Sequence, residues 1–408
     1  MINRASLLGL IMLLLATVLV PGTVQAQQGP DAVEDLIQSD FPDQLTFKLS
    51  AESSVDITDI HLHYMVEQTS FARVTSEVYL EFEPDTQVDV EWTWEMKKIG
   101  GLPSGTAVVY WWTIEDADGA ITETSLRRVQ FDDTRYSWRD LTEGKITIYW
   151  YESDESFADE LMTATQQALT RLKENTGAYL EEAIGIYIYD GAMDLRGAMI
   201  YPQEWMGGVA FPTYGTIALG IAPGDVAWGK RAIAHELTHL VVHQLTLNPY
   251  GDIPTWLDEG LAMYNEGPLE MSFVASLGMA VAQDELISVR SLSSPFSAFP
   301  GEAVLSYAQS HSLVEFLVNS YGQEKILLLL LTFKQGSGYD AALEKVYGFD
   351  MDSLDALWRD YVAGQYQTTE ETTNGVHPAL IGMISALATW LLLASALAIE
   401  AWAWRRDQ

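Results

Sequence analysis

Residues 225–245 have the sequence DVAWGKRAIAHELTHLVVHQL. Apolar residues recur in this segment at helical spacing, and Asp225 stands where a helix N-cap is expected. A helix in this register places His235 and His239 on one face, with Glu236 beside them. Two imidazoles at this spacing can bind one metal ion while the carboxylate reaches a metal-bound water. The segment therefore predicts a helix with two metal ligands and an adjacent general base.

A catalytic zinc site has three protein ligands and one open position, so a third ligand is needed. The chain has no cysteine, which leaves histidines and carboxylates as candidates. His243 lies one turn further along the helix, but it would extend the row of ligands away from the metal. The long pattern with a third histidine requires Gly at 242 and His at 245, where this chain has Val242 and Leu245. The remaining candidate is Glu259, in the predicted short helix at 254–264.

The His-Glu-Leu-Thr-His segment at 235–239 is followed by Trp-Leu-Asp-Glu-Gly-Leu-Ala-Met-Tyr at 256–264. This pair of segments is similar to the gluzincin metallopeptidases, the thermolysin-like and aminopeptidase group, and most of all to their peptidase-MA-like branch. The resemblance runs from about residue 145 to residue 364 and includes Ser-Tyr-Ala-Gln-Ser-His-Ser-Leu at 306–313. It implies a mixed sheet followed by a helical lobe.

The resemblance also implies roles for four residues. His235, His239 and Glu259 would bind Zn²⁺, and Glu236 would activate a water. The chemistry follows from general principles, because zinc lowers the pKa of its bound water to about 7 and a carboxylate can then carry the proton to the leaving amine. The implied substrate is a peptide or protein.

Gluzincins also use a second donor, commonly Tyr or His, that stabilises the oxyanion. Tyr307 is the first candidate for this donor and His311 the second, with core packing as the alternative for Tyr307. The family holds its substrate along an edge strand, which in this chain is either 209–211 or 216–219. Asp258 either orients a metal ligand or favours the start of its helix.

The reaction class leaves alternatives open. Aminopeptidases of this clan often carry Gly-Ala-Met-Glu-Asn, which anchors the free amine, and the Gly-Ala-Met-Asp at 191–194 matches only in part. Endopeptidase activity is therefore favoured over aminopeptidase activity. A catalytically inactive surface binding or scaffold protein is disfavoured because it has no structural need for Glu236. A zinc amidase acting on a non-protein substrate stays open.

Residues 41–132 alternate apolar and polar side chains in short runs, which predicts an antiparallel β-sandwich, of immunoglobulin or fibronectin-like form, at 27–138. The Asp-Ala-Asp-Gly at 116–119 is interpreted as a hairpin turn rather than a calcium loop, because the downstream Glu of an EF-hand is missing. His61 and His63 share one face of a strand. Without a third ligand nearby in the sequence, we interpret them as solvent-facing strand residues rather than a metal pair.

The following region, 139–364, is assigned to the peptidase domain. It begins with a predicted strand, helix and strand at 146–150, 156–175 and 184–189, and it is helical from 226 onwards. Together the two regions predict an α+β fold.

The two ends of the chain predict its location. Residues 1–26 have the pattern of a secretory signal peptide, and 379–400 contain an uncharged apolar stretch long enough to span a bilayer. The tryptophans and arginines that close this stretch suit a cytoplasmic tail at 401–408, with 365–378 as a flexible linker. The sequence therefore predicts a single-pass protein of the cell membrane whose catalytic domain lies outside the cytoplasm.

Charge and composition exclude two classes. The formal net charge of −35 argues against nucleic acid as a partner, since phosphate binding depends on Lys and Arg. The hydrophobic fraction of 48% argues against a disordered chain. Neither property indicates an oligomeric state.

Overall fold

The computed structural model describes residues 29–70, 72–202, 207–297 and 299–373. Strands occupy the first part of the chain and helices most of the second, so the α+β prediction is confirmed. Within these ranges no helix is long and apolar enough to cross a membrane. Three predicted segments lie outside the described residues: the signal peptide at 1–26, the membrane helix at 379–400 and the tail at 401–408.

Seven antiparallel strands form the first sheet, and most of them meet at one long strand, β2. The strands are β1 (Asp31–Asp40), β2 (Gln44–Val66), β3 (Ser76–Tyr79), β4 (Asp85–Glu95), β5 (Thr106–Asp116), β6 (Ile121–Glu123) and β7 (Arg127–Phe131). The first half of β2 pairs with β1 and β4, and its second half pairs with β3 and β5. Because the strands share β2 in one sheet, the predicted immunoglobulin or fibronectin-like sandwich at 27–138 is not confirmed.

The alternation of buried side chains along β2 shows how this strand contributes to the core along both of its halves. Leu45, Phe47 and Leu49 are buried in the first half, and Ile60 and Leu62 are buried in the second. The phase of the alternation changes between the two sets, where the register with β4 and with β5 also shifts. A local irregularity of this kind turns a strand while it keeps its apolar side chains in the core.

The loop at 116–119 forms the predicted hairpin turn. It joins β5 to β6, which pair from Glu115 opposite Ile121. Gly119 has a φ of 78°, which glycine adopts without strain. The Asp116 carboxylate accepts hydrogen bonds from the backbone of Asp118 and Ala120 at 3.1 and 3.0 Å. This carboxylate therefore closes the turn.

The second sheet has five strands in the order β11-β12-β10-β9-β8. They are β8 (Arg139–Glu143), β9 (Ile146–Trp150), β10 (Ile184–Tyr189), β11 (Gly208–Phe211) and β12 (Thr216–Gly220). The three inner strands are parallel, and the two outer strands run antiparallel to their neighbours. β11 is one of the two edge strands and β12 is an inner strand, so only the first of the two candidate segments, 209–211, lies at an edge.

One face of this second sheet packs against the first sheet. Tyr187, Tyr189 and Ala218 belong to the same buried cluster as Trp112 of β5. Gly105, with a φ of 84°, lies at this junction, where any side chain would collide with the Tyr187 hydroxyl. The other face of the second sheet packs against the helices.

Nine helices follow or interrupt the second sheet within the described residues. They are α1 (Glu155–Thr176), α2 (Ala192–Gly197), α3 (Val226–Thr246), α4 (Thr255–Glu266), α5 (Met271–Gln283), α6 (Pro300–Tyr321), α7 (Gln323–Lys334), α8 (Tyr339–Tyr347) and α9 (Met351–Thr373). Leu237 of α3, Trp256 of α4 and Trp358 of α9 are buried in one core with Ile186 of β10. This core fixes α3 and α4 against the sheet.

Helix α9 continues into the predicted linker at 365–378. Tyr366 holds this part of the helix, because its hydroxyl donates a hydrogen bond to the carbonyl of Val274 at 3.1 Å. A side chain at Gly278 would collide with the Tyr366 ring, so the two helices meet closely here. The first part of the predicted linker is therefore helical, and residues after 373 lie outside the described part.

Candidate metal centre

Helix α3 carries the predicted metal-binding segment, in the register that the sequence predicts. Its apolar side, which includes Ile233 and Leu237, is fully buried. His235, Glu236 and His239 are only partly buried. Asp225 precedes the helix as predicted, but its side chain accepts no capping hydrogen bond from it. Core packing, rather than a capping side chain, therefore fixes this helix.

Three predicted ligands converge between α3 and α4. Oε2 of Glu259 lies 3.4 Å from Nε2 of His235 and 3.5 Å from Nε2 of His239. One donor atom from each residue lies within 4.8 Å of the others. Tetrahedral bonds of about 2.0–2.1 Å separate neighbouring ligand atoms by roughly 3.3 Å, so the spacing fits Zn²⁺.

The Glu259 carboxylate has an unsatisfied atom at the centre of this group. Its Oε2 is buried and has no hydrogen-bond partner among the described residues. A buried charged oxygen without a partner is costly, and a metal ion would satisfy it. The donor set of two imidazoles and one carboxylate is one that zinc prefers. The residues therefore fit this metal.

The pKa values in the metal-free site follow from the same contacts. Burial raises the pKa of Glu259, but the two imidazoles outweigh it and hold the pKa well below the usual range. Burial lowers the pKa of His235, but the nearby carboxylates of Glu259 and Glu266 raise it to about 9. The pKa of His239 is also raised, since Asp258 and Glu259 outweigh its burial. Without metal, the site is a cluster of ion pairs.

Two carboxylates orient the histidine rings by contacting the ring nitrogens on the side away from Glu259. Nδ1 of His235 lies 2.8 Å from Oε1 of Glu266, and Nδ1 of His239 lies 3.0 Å from Oδ2 of Asp258. Both Nε2 atoms consequently face Glu259. Carboxylates in this position raise the basicity of ligand histidines and fix their orientation. Asp258 also lies in the first turn of α4, so its position is compatible with both of its predicted roles.

Glu266 was not predicted from the sequence. It lies two turns after Glu259 on α4, and that helical spacing is the signal that identifies it as a neighbour. Arg231, one turn before His235 on α3, forms an ion pair with Glu266 at 2.8 Å. The ion pair holds the Glu266 carboxylate against the histidine.

Glu236 lies between the histidines and the edge strand β11. The backbone N–H of Ala210 in β11 lies beside its carboxylate. Burial raises the pKa of Glu236, and the two neighbouring histidines oppose this shift. A side chain at Gly208 would place its Cβ 3.2 Å from Oε1 of Glu236. β11 therefore holds the carboxylate in position through its backbone.

Tyr307 lies at the same centre, on α6. Its ring centroid is 6.5 Å from that of His235, and Phe296 packs edge-on against it at 5.2 Å. Burial raises the pKa of Tyr307, and Glu259 and Glu236 raise it further. The hydroxyl is therefore protonated and able to donate a hydrogen bond.

The other two histidines near the motif lie apart from the ligand group. His311 is buried, packs 5.7 Å from the Tyr264 ring and lines a separate cavity with Arg171 and Glu315. Tyr307 therefore lies beside the ligand group, whereas His311 lies outside it. His243 lies one turn beyond His239 and belongs to no ligand group in the described part of the chain.

Comparison with known proteins gives one family match. Residues 164–364 match the Peptidase MA superfamily, and no curated protein matches the sequence. Among solved structures, the M1 zinc metallopeptidase from Deinococcus radiodurans shares 14% identity with a TM-score of 0.31, over 82% of this chain and 94% of that chain.

Two further structures are similar over smaller shares of their own length. Legionella pneumophila aminopeptidase A, in complex with aspartic acid, shares 11% identity with a TM-score of 0.35, over 81% of this chain and 50% of that chain. OgpA from Akkermansia muciniphila shares 10% identity with a TM-score of 0.21, over 26% of this chain and 28% of that chain. The region that carries the candidate metal centre, residues 164–364, is thus similar to the Peptidase MA superfamily, and this match supports a gluzincin-like zinc peptidase.

Proposed function

We propose that this chain hydrolyses peptide bonds with a zinc-activated water, using Glu236 as the general base. The observation that carries the proposal is the convergence of two imidazole nitrogens on one unsatisfied oxygen of Glu259, at 3.4 and 3.5 Å. Glu236 lies next to this group, on the side of the edge strand. Ligands, base and a strand for the substrate therefore meet at one place.

His235, His239 and Glu259 would hold the zinc ion. A bound Zn²⁺ would lower the pKa of a water molecule and polarise the substrate carbonyl. Glu236 takes the proton from the water and delivers it to the leaving amine. The raised pKa of Glu236 suits the first step, because a base of higher pKa accepts a proton more readily.

Tyr307 would donate its hydroxyl proton in a hydrogen bond to the oxyanion that forms on the carbonyl. Its contact with Phe296 and its position 6.5 Å from the His235 ring support this role. Donors that meet developing charge in a buried site contribute about 2.7–4 kcal/mol to the barrier. Tyr307 would therefore act on the rate of the reaction more than on substrate binding.

The substrate would lie along β11. This strand lies at one of the two edges of the sheet, and β12 is its partner among the described residues. Free backbone groups on an edge strand can pair with an extended peptide. The backbone N–H of Ala210 lies beside the Glu236 carboxylate, so this strand adjoins the proposed general base.

The composition of β11 favours an endopeptidase. Its residues, Gly208 to Phe211, include no carboxylate that would anchor a free amino group. The Gly-Ala-Met-Asp at 191–194, which matches the aminopeptidase segment in part, lies at the start of α2 beside Gly220 of β12. Gly220 donates a hydrogen bond to the carbonyl of Gly207, just before β11, so this segment lies near the start of β11 but lacks the Glu-Asn of the full pattern.

The alternatives explain less of the site. An inactive scaffold protein has no need for Glu236 to be buried against two histidines at a cost in solvation. A zinc amidase on a non-protein substrate would use the same ligands but would not require a free edge strand. The location also stays a proposal: a domain outside the cytoplasm, anchored by 379–400.

The test uses the full-length protein purified in detergent, with metal content and cleavage of a random peptide library as readouts. We expect stoichiometric zinc, internal cleavage, and cleavage of peptides whose amino terminus is acetylated. The variant Glu236→Gln should keep its zinc and lose cleavage. Cleavage that persists in this variant would exclude Glu236 as the general base. A requirement for a free amino terminus would show aminopeptidase rather than endopeptidase activity.

A further inference from the structure

We infer that strands β2 and β3 carry a second site for a divalent metal ion of the zinc class, formed by His61, His63 and Glu77. This site belongs to the first sheet and uses none of the residues of the proposed catalytic centre. From the sequence alone the two histidines lack a third ligand. The pairing of β3 with β2 supplies one.

The strand register brings the three side chains together. Glu77 of β3 is directly opposite His63 of β2, and His61 lies two residues along the same face. Oε1 of Glu77 is 2.8 Å from Nδ1 of His61 and 3.8 Å from Nδ1 of His63. One donor atom from each residue lies within 4.8 Å of the others, as in the proposed catalytic site.

The His63 ring is fixed by contacts on its far side. Its Nε2 is hydrogen-bonded to Oγ1 of Thr113 at 2.9 Å, and its plane stacks on Trp111 at 5.0 Å and 12°. When Nε2 carries the proton for this bond, the lone pair of Nδ1 faces Glu77 and is free to bind a metal. An outer hydrogen bond of this kind is typical of metal-binding histidines.

His61 has a similar arrangement. Its ring packs on Tyr79 at 4.0 Å, and its Nε2 lies 3.0 Å from Oδ1 of Asp59. This Nε2 is buried and makes no well-formed hydrogen bond with the described residues. A small rotation of the ring on binding a metal through Nδ1 would bring Nε2 into line with the Asp59 carboxylate.

Charge and access also suit a cation. The carboxylates of Asp59 and Glu77 lie on either side of the His61 ring and bring two acidic groups to this patch. The side chains of His61 and His63 are 20% and 16% exposed, and Glu77 is 39% exposed. A solvated ion can therefore reach the three donors and keep water in its remaining positions.

The donor set selects the metal class and indicates a role. Two imidazoles with one carboxylate suit zinc and its neighbours in the first transition row, whereas calcium and magnesium prefer oxygen ligands. β3 is short, with four residues, and pairs with β2. A metal that bridges the strands would hold β3 on the sheet as a structural clamp.

The test counts zinc in the full-length protein after dialysis against a controlled concentration of free zinc. The double variant His61→Asn/His63→Asn should lose one equivalent relative to wild type and keep its peptidase activity. The variant His235→Gln/His239→Gln should keep one equivalent, which isolates the second site from the proposed function. Equal zinc content in the wild type and the His61→Asn/His63→Asn protein would overturn the inference.

A pair of conservative variants tests the site in case the His61→Asn/His63→Asn protein loses zinc by misfolding. Glu77→Gln keeps the size of the side chain and should weaken zinc binding at this site by about tenfold or more, while Glu81→Gln, an exposed neighbour outside the cluster, should leave it unchanged. In the His235→Gln/His239→Gln background, zinc should also slow amide hydrogen exchange at 76–79, and Glu77→Gln should abolish this effect. Identical binding and exchange in the two glutamine variants would contradict the site.

Discussion

Nδ1 of His235 lies 2.8 Å from Oε1 of Glu266, and this contact turns the opposite ring nitrogen towards Glu259. The two residues come from different helices, α3 and α4. Their relationship places a second carboxylate of α4 beside the candidate metal centre. Glu259 would bind the metal, and Glu266 would hold one of its ligands in place.

Glu266→Gln should therefore weaken zinc binding without removing a ligand. The neutral amide no longer supports the basicity of His235, and losses of about 10–100-fold in affinity are typical of such changes. Competition with a chromophoric chelator measures the affinity. Glu270→Gln is the matched control, because Glu270 also pairs with Arg231, at 2.8 Å, but does not contact His235 in the ion pairs described. Equal affinities in both variants would exclude an orienting role for Glu266.

Gly208→Ala should lower peptidase activity while zinc content stays unchanged. The new Cβ would lie 3.2 Å from Oε1 of Glu236 and would also collide with Leu219, so β11 or the carboxylate must move. A displacement of about 1 Å at a reacting group can cost about 100-fold in rate. Steady-state cleavage and metal analysis check the prediction. Gly224→Ala serves as control, since a side chain there meets open space.

Tyr307→Phe should reduce kcat by about 100–1,000-fold and change KM little, because its hydroxyl would contact the oxyanion and not the ground-state carbonyl. Kinetics on a single peptide separate the two constants. Tyr264→Phe provides the comparison, since Tyr264 packs on His311 beside the separate cavity. A kcat of Tyr307→Phe that equals that of Tyr264→Phe would leave Tyr307 a packing role only.

Individual strands and helices within 139–364 were predictable from the sequence, because apolar side chains recur in each of them with the single period of a strand or of a helix. The strand predicted at 184–189 corresponds to β10 within the same bounds, and the helix predicted from 226 to about 245 corresponds to α3. Strands β1 and β8 were not predicted. They are outer strands with mostly exposed side chains, and backbone pairing with β2 and β9 holds them in place. Apolar periodicity carries little information about such strands.

Contacts between segments that are distant in the sequence were also not predicted. Glu77 joins His61 and His63 only because β3 pairs with β2 in one register, and a slip of one residue would move Glu77 to the other face. Glu266 reaches His235 only because α4 packs beside α3. Both contacts depend on how elements assemble, which local sequence patterns do not specify.

Zinc binding to the metal-free protein should release protons at neutral pH. The pKa of His235 is about 9 and that of His239 is raised, so both rings are largely protonated at pH 7, whereas Glu259 is ionised. Zinc binds neutral imidazole, and each protonated ring must lose its proton on binding. The apparent affinity should therefore rise with pH, and the slope of this rise should decrease as the pH passes about 9, where His235 loses its proton.

Calorimetric titration at pH 7 in buffers of different ionisation enthalpy measures the number of protons released. The His61→Asn/His63→Asn protein isolates the proposed catalytic site, and no proton release would show that its histidines are neutral before zinc binds.

The raised pKa of His235 has an opposite consequence for the stability of the metal-free fold. Because the folded pKa of His235 lies above the unfolded value, its ion pairs stabilise the fold fully below about pH 6.5, and this stabilisation is lost as the pH rises through about 9. Alkaline pH should thus favour zinc binding while it destabilises the metal-free protein, and thermal unfolding with and without a chelator separates the two effects.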